Sequence, residues 1–178
     1  MNLTAKIMME GFANLNKLLD RPVRLILGGG GAMLLAHKFR LVTQDVDAIP
    51  GAGITVDELD PYVRRVAREI GLPPDWLNPY YSTFAHVLPS DYATRLIRIA
   101  DLSQLKVDAL SKEDLLIMKC FAARAKDVVH ARALVKLGAD VDFVRTHIES
   151  LRKRKIPGSD KALSFLSQLE EFFRKDEK

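Results

Sequence analysis

Apolar positions along this chain switch between two spacings, and the switches mark its elements. Between Asn2 and Leu19, the residues Ile7, Met8, Phe12, Leu15 and Leu19 recur three or four apart, which lines one face of a helix. Asp20-Arg21-Pro22 ends that pattern. Arg24 to Leu27 is short, branched and apolar, as a buried strand is, and four consecutive glycines, Gly28 to Gly31, follow it. Good helix formers at Met33, Leu34 and Leu35 predict a helix from Ala32 to Phe39. Asp45 to Pro50 reads as extended. Its alternation puts Asp45 and Asp47 on one face, roughly 6.6 Å apart along the strand, with Val46 turned toward a core. Thr55 and Glu58 form a capping-box signature for a helix carrying Leu59, Val63, Val66, Ala67 and Ile70 on one face, closed by Gly71.

Leu72 to Tyr81 is rich in proline and aromatics, and reads as a loop packed over a core. Trp76, Tyr80 and Tyr81 are its candidates for stacking on a base. Thr83 to Val87, Thr94 to Ile99 and Gln104 to Leu110 read as strands. In the last, Leu105, Val107 and Ala109 share one face, while Lys106 and Asp108 share the other. From Ser111 onward the spacing is helical. One helix runs through Leu115, Met118, Phe121 and Ala122, and Asp127 to Leu137 either continues it or forms a second, stopped by Gly138. Another spans Val141 to Arg154, and a last one carries Leu163, Leu166, Leu169 and Phe173. This order predicts an α+β chain: a mixed β-sheet flanked by helices over residues 1–110, then a helical C-terminal region, residues 111–178, packed on it.

Composition narrows the class. With 178 residues of which 48% are hydrophobic, the chain can bury a substantial core, and its net charge of +4 permits an anionic partner without demanding one. The single cysteine, Cys120, excludes an internal disulfide and a cysteine-built zinc site. His37, His86, His130 and His147 have no metal-ligand spacing. Lys6, Glu10 and Lys17 interrupt the N-terminus before any signal-like apolar run, and no run reaches membrane-spanning length, so a cytoplasmic protein without a membrane partner is expected.

The candidate chemistry lies between Arg24 and Pro50. Glycines let a backbone approach a ligand closely, and a turn leading into a helix offers N–H groups to an anion. Two carboxylates on one strand face, beside such a cradle, suit a Mg²⁺–nucleotide complex, with Asp45 and Asp47 as metal ligands and Gly29, Gly30 and Gly31 contacting phosphate. Neither a dinucleotide fingerprint nor a Walker A loop fits, since G-x-G-x-x-G and G-K-[ST] are both absent.

The pattern of glycines, Ala32, Arg40 and Thr43-x-Asp45-x-Asp47 resembles the nucleotidyltransferase superfamily, and within it the abortive-infection (AbiEii-like) branch, which includes toxins of toxin–antitoxin pairs. The resemblance implies a nucleotidyltransferase-like sheet and a Mg²⁺-dependent transfer of NMP from an NTP to a hydroxyl, the acceptor being RNA and possibly tRNA. An antitoxin protein is an implied partner. It also implies a third catalytic carboxylate on a later strand. Asp108 is the candidate, with Asp101 as the alternative. Arg40, Thr43, Lys119, Arg124 and Asp127 are then candidate nucleotide-binding residues. The basic run from Arg152 to Lys155 is either a nucleic-acid contact or a solvated helix end. Two other readings remain open at this point: a non-catalytic binding protein on the same fold, and a transferase that adenylylates a small molecule or a protein.

Overall fold

The computed structural model describes residues 1–39 and 41–176, apart from the side chains of Tyr80 and Asp176. Its contacts divide it into two compact units, residues 1–83 with 95–110, and residues 84–94 with 111–178.

The first unit is built on a five-stranded mixed sheet. In chain order its elements are α1 (Ala5–Leu18), β1 (Val23–Leu27), α2 (Gly29–Leu35), β2 (Val46–Ala52), α3 (Val56–Ile70), β3 (Leu77–Asn78), β4 (Ile97–Asp101) and β5 (Leu105–Ala109). The strands lie in the order β3-β2-β1-β5-β4. β1 is antiparallel to β2 and parallel to β5. Cross-strand partners share a face. Leu25 and Leu27 therefore sit with Ala48 and Pro50 on one side and with Val107 and Ala109 on the other, and the first three and the last two of these sequence positions form the inner face. That face meets α1, which packs on both α3 and β5. Met8, Phe12, Leu15, Val66 and Trp76 are wholly buried here. Each such side chain contributes roughly 1.5–3 kcal/mol. The opposite face carries Arg24 and Ile26 of β1, Asp47 and Ile49 of β2, Arg98 of β4, and Lys106 and Asp108 of β5.

Helix ends follow the local chemistry. The Thr4 hydroxyl accepts the Ile7 N–H, and Thr55 with Glu58 forms the full capping box. Gly71 closes α3 at φ 72°. β2 runs past Pro50 to Ala52, because the register with β1 shifts between Arg24 and Leu25, where a residue without an N–H is tolerated.

The second unit gathers around α4 (Lys112–Ala122), which touches α5 (Ala125–Lys136), α6 (Val141–Lys153) and α7 (Ser159–Asp176). Leu116, Ile117 and Cys120 of α4 are fully buried, and burial raises the Cys120 thiol pKa far above its usual value. Ser111 caps α4 by accepting the Asp114 N–H. Of the two readings for Asp127 to Leu137, the structure has the second helix: α4 ends at Ala123, which sits in the left-handed region at φ 45°. Lys119 therefore belongs to α4, while Arg124 and Asp127 open α5.

Two strand expectations are corrected. Thr83 to Val87 is part of a 3₁₀ turn over Tyr80–Val87, and a second turn, Tyr92–Arg95, precedes β4. Backbone bonds of the i+3 type, such as Ser82 N–H to the Pro79 carbonyl and Leu88 N–H to the Ala85 carbonyl, satisfy this stretch locally. Within the helical unit, a hydrogen bond of 2.8 Å between His147 Nε2 and the Val87 carbonyl ties the second half of this stretch to α6.

Candidate active site

The four glycines do not make a loose turn. Gly28 is the N-cap of α2, and Gly29 to Gly31 are its first turn, so the helix begins three residues before the predicted Ala32. Each glycine is pressed against a particular neighbour. A Cβ on Gly28 would stand 2.7 Å from the Tyr81 ring, and on Gly29 only 1.9 Å from Asp47 Oδ2. On Gly30 it would stand 3.1 Å from the Thr43 hydroxyl, and on Gly31 3.3 Å from Val46. Gly29 also needs its positive φ of 54°, which side chains other than glycine's adopt at a cost. The Gly28 N–H donates to the Asp47 carbonyl at 2.8 Å, locking α2 to the start of β2.

Asp45 lies one residue before β2 rather than within it. Its carboxylate is nevertheless tied to the Asp47 side of the sheet. Asn78 pairs with Asp47 in the β2–β3 register and donates its amide to Asp45 Oδ2 at 3.1 Å. The Thr43 hydroxyl donates to the Asp45 carbonyl at 3.0 Å, shaping the approach to the strand. Asp45, Asp47, Thr43, Asn78 and Gly29 to Gly31 thus form one assembly, with both carboxylates half-buried. Arg40 lies outside the described residues.

Among the described residues, no group of three or more histidine, cysteine, aspartate or glutamate side chains is arranged to hold a metal ion. Two carboxylates beside a backbone that comes this close suit a different arrangement. Mg²⁺ keeps several waters and is commonly held by one or two carboxylates together with substrate phosphates. Asp45 and Asp47 fit that donor set, and the absence of a side chain on Gly29 is what lets Asp47 Oδ2 lie against the start of α2.

Asp108 is on the same face as Asp47, but one strand lies between β2 and β5. Its side chain is 3% exposed, and each of its oxygens accepts a guanidinium: Arg24 Nε at 2.6 Å and Arg98 Nε at 2.5 Å. Asp101, at the exposed end of β4, pairs with Arg98 at 3.0 Å and with Lys106 at 3.8 Å. Asn78, Arg24 and Arg98 were not singled out from sequence. An arginine opening an otherwise apolar strand, two residues before Ile26, was the available signal for Arg24.

Lys119, Arg124 and Asp127 come together within the helical unit. Lys119 Nζ donates to Asp127 Oδ1 at 2.9 Å, with the two side chains 7% and 0% exposed. Arg124 donates its backbone N–H and its Nε to Asp127 Oδ2, at 3.1 and 2.7 Å. Burial alone would raise the Asp127 carboxyl, but the hydrogen bonds from Arg124 and the Lys119 charge outweigh it and hold the group at about 2. Asp127 is also the N3 residue of α5, so its carboxylate caps that helix.

Two of the three aromatic candidates are core residues. The Trp76 indole N–H donates to the Val63 carbonyl at 3.2 Å, and the Tyr81 hydroxyl donates to the Ile26 carbonyl at 2.7 Å. The Tyr80 side chain lies outside the described set.

No helix among the described residues is long and apolar enough to cross a membrane. Neither a curated protein nor a solved structure matches the chain. A family model described as "Nucleotidyltransferase of unknown function (DUF6036)" matches residues 6–174. That match takes in the glycine helix, the Asp45–Asp47 segment and nearly all of the helical unit, and the chain belongs to this nucleotidyltransferase family.

Proposed function

We propose that the chain transfers NMP from an NTP to a hydroxyl group in a Mg²⁺-dependent reaction, with RNA as the acceptor. The observation that carries this reading is the apposition of Gly29, Gly30 and Gly31 to Asp47, Thr43 and Val46. It places a side-chain-free backbone edge against a half-buried carboxylate, which a triphosphate with its cation requires. Family membership supports the reaction class and an NTP substrate.

In this reading Asp45 and Asp47 hold the cation, and Gly29 to Gly31 contact phosphate oxygens through the backbone. When bound, Mg²⁺ neutralises the triphosphate and the charge that develops during transfer. The acceptor oxygen forms a bond to the α-phosphorus, the bond to the bridging oxygen breaks, and pyrophosphate leaves as the hydroxyl gives up its proton. Asn78 orients Asp45, and Thr43 shapes the chain leading to it. The sequence resemblance makes Lys119, Arg124 and Asp127 candidate nucleotide contacts, and the three are joined in one cluster within the helical unit. The AbiEii-like assignment, a tRNA acceptor and an antitoxin partner rest on the sequence resemblance alone.

The test is a pair of measurements. Each labelled NTP is incubated with Mg²⁺, total RNA and the chain, and transfer is followed on a gel. In parallel, NTP with Mg²⁺ raises the melting temperature, because a ligand bound only to the native state stabilises it. An identical rise in the Asp45→Asn, Asp47→Asn double variant would place the nucleotide elsewhere and defeat the assignment.

A further inference from the structure

We infer that Arg24 and Arg98, fixed in place by Asp108, form a seat for a phosphate of a polynucleotide acceptor, and that Asp108 acts as a positioning residue rather than as a metal ligand. The inference rests on the nucleotidyltransferase reading above, and it names the acceptor class for that site.

Three observations carry it. The first is how Asp108 is engaged. It is buried, and both oxygens accept a guanidinium Nε at 2.6 and 2.5 Å, so binding a cation would require breaking two charge-assisted bonds. The second is what those bonds leave outside. Arg24 and Arg98 are 39% and 42% exposed, and each is held through its Nε, so part of each side chain remains accessible. Arg98 Nη1 is steadied further by Asp101 at 3.0 Å. A fixed guanidinium loses less side-chain freedom when it takes an anion, which suits a phosphate site. Arg24 also lines, with Lys106 and Ser103, a cavity of about 250 Å³ at the end of the sheet. Three cations here outnumber Asp108 and Asp101, so the patch is positive overall.

The third observation is placement. Strand register sets Ile49, Ile26, Asp108 and Arg98 level across four strands, all on the face that carries Asp47. Asp108 lies two residues along and two strands across from Asp47, which corresponds to on the order of 10 Å between their backbones. Arg24 is a further two residues along β1. One phosphate group cannot bridge Asp47 and this patch. A chain of phosphates can, with its terminal hydroxyl at Asp45 and Asp47 and an upstream phosphate at Arg24 and Arg98. A small-molecule acceptor would leave the seat idle. The NTP's own phosphates are the other possible source of the anion, and the experiment separates the two.

The test uses the full chain. A short fluorescein-labelled oligouridylate is titrated by anisotropy across a series of salt concentrations, and Mg²⁺–NTP binding is followed by thermal shift. Arg24→Gln and Arg98→Gln each weaken RNA binding about tenfold or more, as expected for loss of a charge-assisted contact. Each also reduces the slope of log affinity against log salt by about 0.7. Both keep the NTP-induced shift, and Arg65→Gln, on the exposed surface of α3, leaves the RNA slope unchanged. Asp108→Asn keeps the Mg²⁺ concentration at which the NTP shift is half-maximal. RNA affinity in the two arginine variants equal to that of Arg65→Gln overturns the seat. A loss of the NTP shift rather than of RNA binding assigns the arginines to the triphosphate and overturns it too. An Asp108→Asn chain that folds but no longer responds to Mg²⁺ makes Asp108 a metal ligand. If the wild type shows no NTP shift at all, the functional reading fails, and the RNA titration still decides the seat.

Discussion

The carboxylates of the sheet unit and the buried carboxylate of the helical unit are set up in opposite ways. Asp127 is sealed: it is wholly inaccessible, Lys119 and Arg124 neutralise it, and it caps α5 as well. Asp45 and Asp47 are half-buried, are steadied by an amide and by glycine backbone, and face the side of the sheet away from α1 and α3. A carboxylate whose charge is balanced inside the protein contributes to folding. Asp45 and Asp47 instead stand together at the edge of the glycine helix, where the proposed function places its cation. Asp108 stands between these cases, with the burial of the first and the sheet face of the second.

The largest effect is expected where the comparison is sharpest. If Asp45 and Asp47 hold the cation as proposed, replacing both by asparagine removes ligands worth several kcal/mol, so transfer activity falls roughly a thousandfold while the melting temperature without ligand changes little. Single-turnover transfer assays read the first effect and thermal melts the second. Full activity in the double variant would erase the distinction between the two regions.

Lys119→Met probes the sealed cluster. It leaves Asp127 with Arg124 as its remaining partner in the cluster, and breaking a buried pair costs roughly 3–5 kcal/mol, read as a lower urea midpoint. Adding Asp127→Leu recovers much of that loss, since a buried ion pair can often be replaced by apolar residues. A Lys119→Met chain as stable as wild type would show the pair to be dispensable. Titrating both variants with a non-hydrolysable NTP reports whether the cluster also serves the nucleotide.

Acid addresses the same cluster without mutation. The Asp127 carboxyl, held at about 2 in the folded chain, titrates below its unfolded value of 3.8. Its contribution is therefore complete above the unfolded value and is lost as pH falls from about 4 through 2, amounting to about 2 kcal/mol. The acid dependence of stability should flatten over that range in the Lys119→Met, Asp127→Leu chain.

The smallest effect is the most local. Gly29→Ala places a methyl carbon 1.9 Å from Asp47 Oδ2 and forces a positive φ, for a cost on the order of 1–2 kcal/mol. Asp47 must move aside, so Mg²⁺–NTP affinity falls along with stability. An alanine that costs nothing would mean that Asp47 has room to turn away.

Most of the fold was legible because its signals are local. Thr55 with Glu58, Gly71, and the alternation through Leu105, Val107 and Ala109 each depend on residues close in sequence, and the elements they mark are present. A second helix was one of two open readings, but the position of the break at Ala123 was not legible, because alanine is a good helix former and only its neighbours place it in the left-handed region. Thr83 to Val87 misled because β-branched and aromatic residues suggest a strand, yet Pro79 and Pro89 bracket a stretch that closes its bonds on itself. At the site, the glycines and both aspartates were visible as a motif. Asn78 was not, because its role comes from the pairing of β3 with β2, thirty-three residues after Asp45. The arginine partners of Asp108 were hidden for the same reason: they are 84 and 10 residues away in sequence and adjacent only across the sheet.

Trp76 has a practical consequence. It is the chain's single tryptophan, and it is fully buried in the sheet unit, with its ring against Gly11 and Phe12. Its emission is therefore an intrinsic optical probe of that unit alone, whereas far-ultraviolet circular dichroism is weighted toward the helices of both. Following one denaturation with the two signals needs no label. Coincident curves would mean that the chain melts cooperatively as one body, and curves that separate would give each unit its own midpoint.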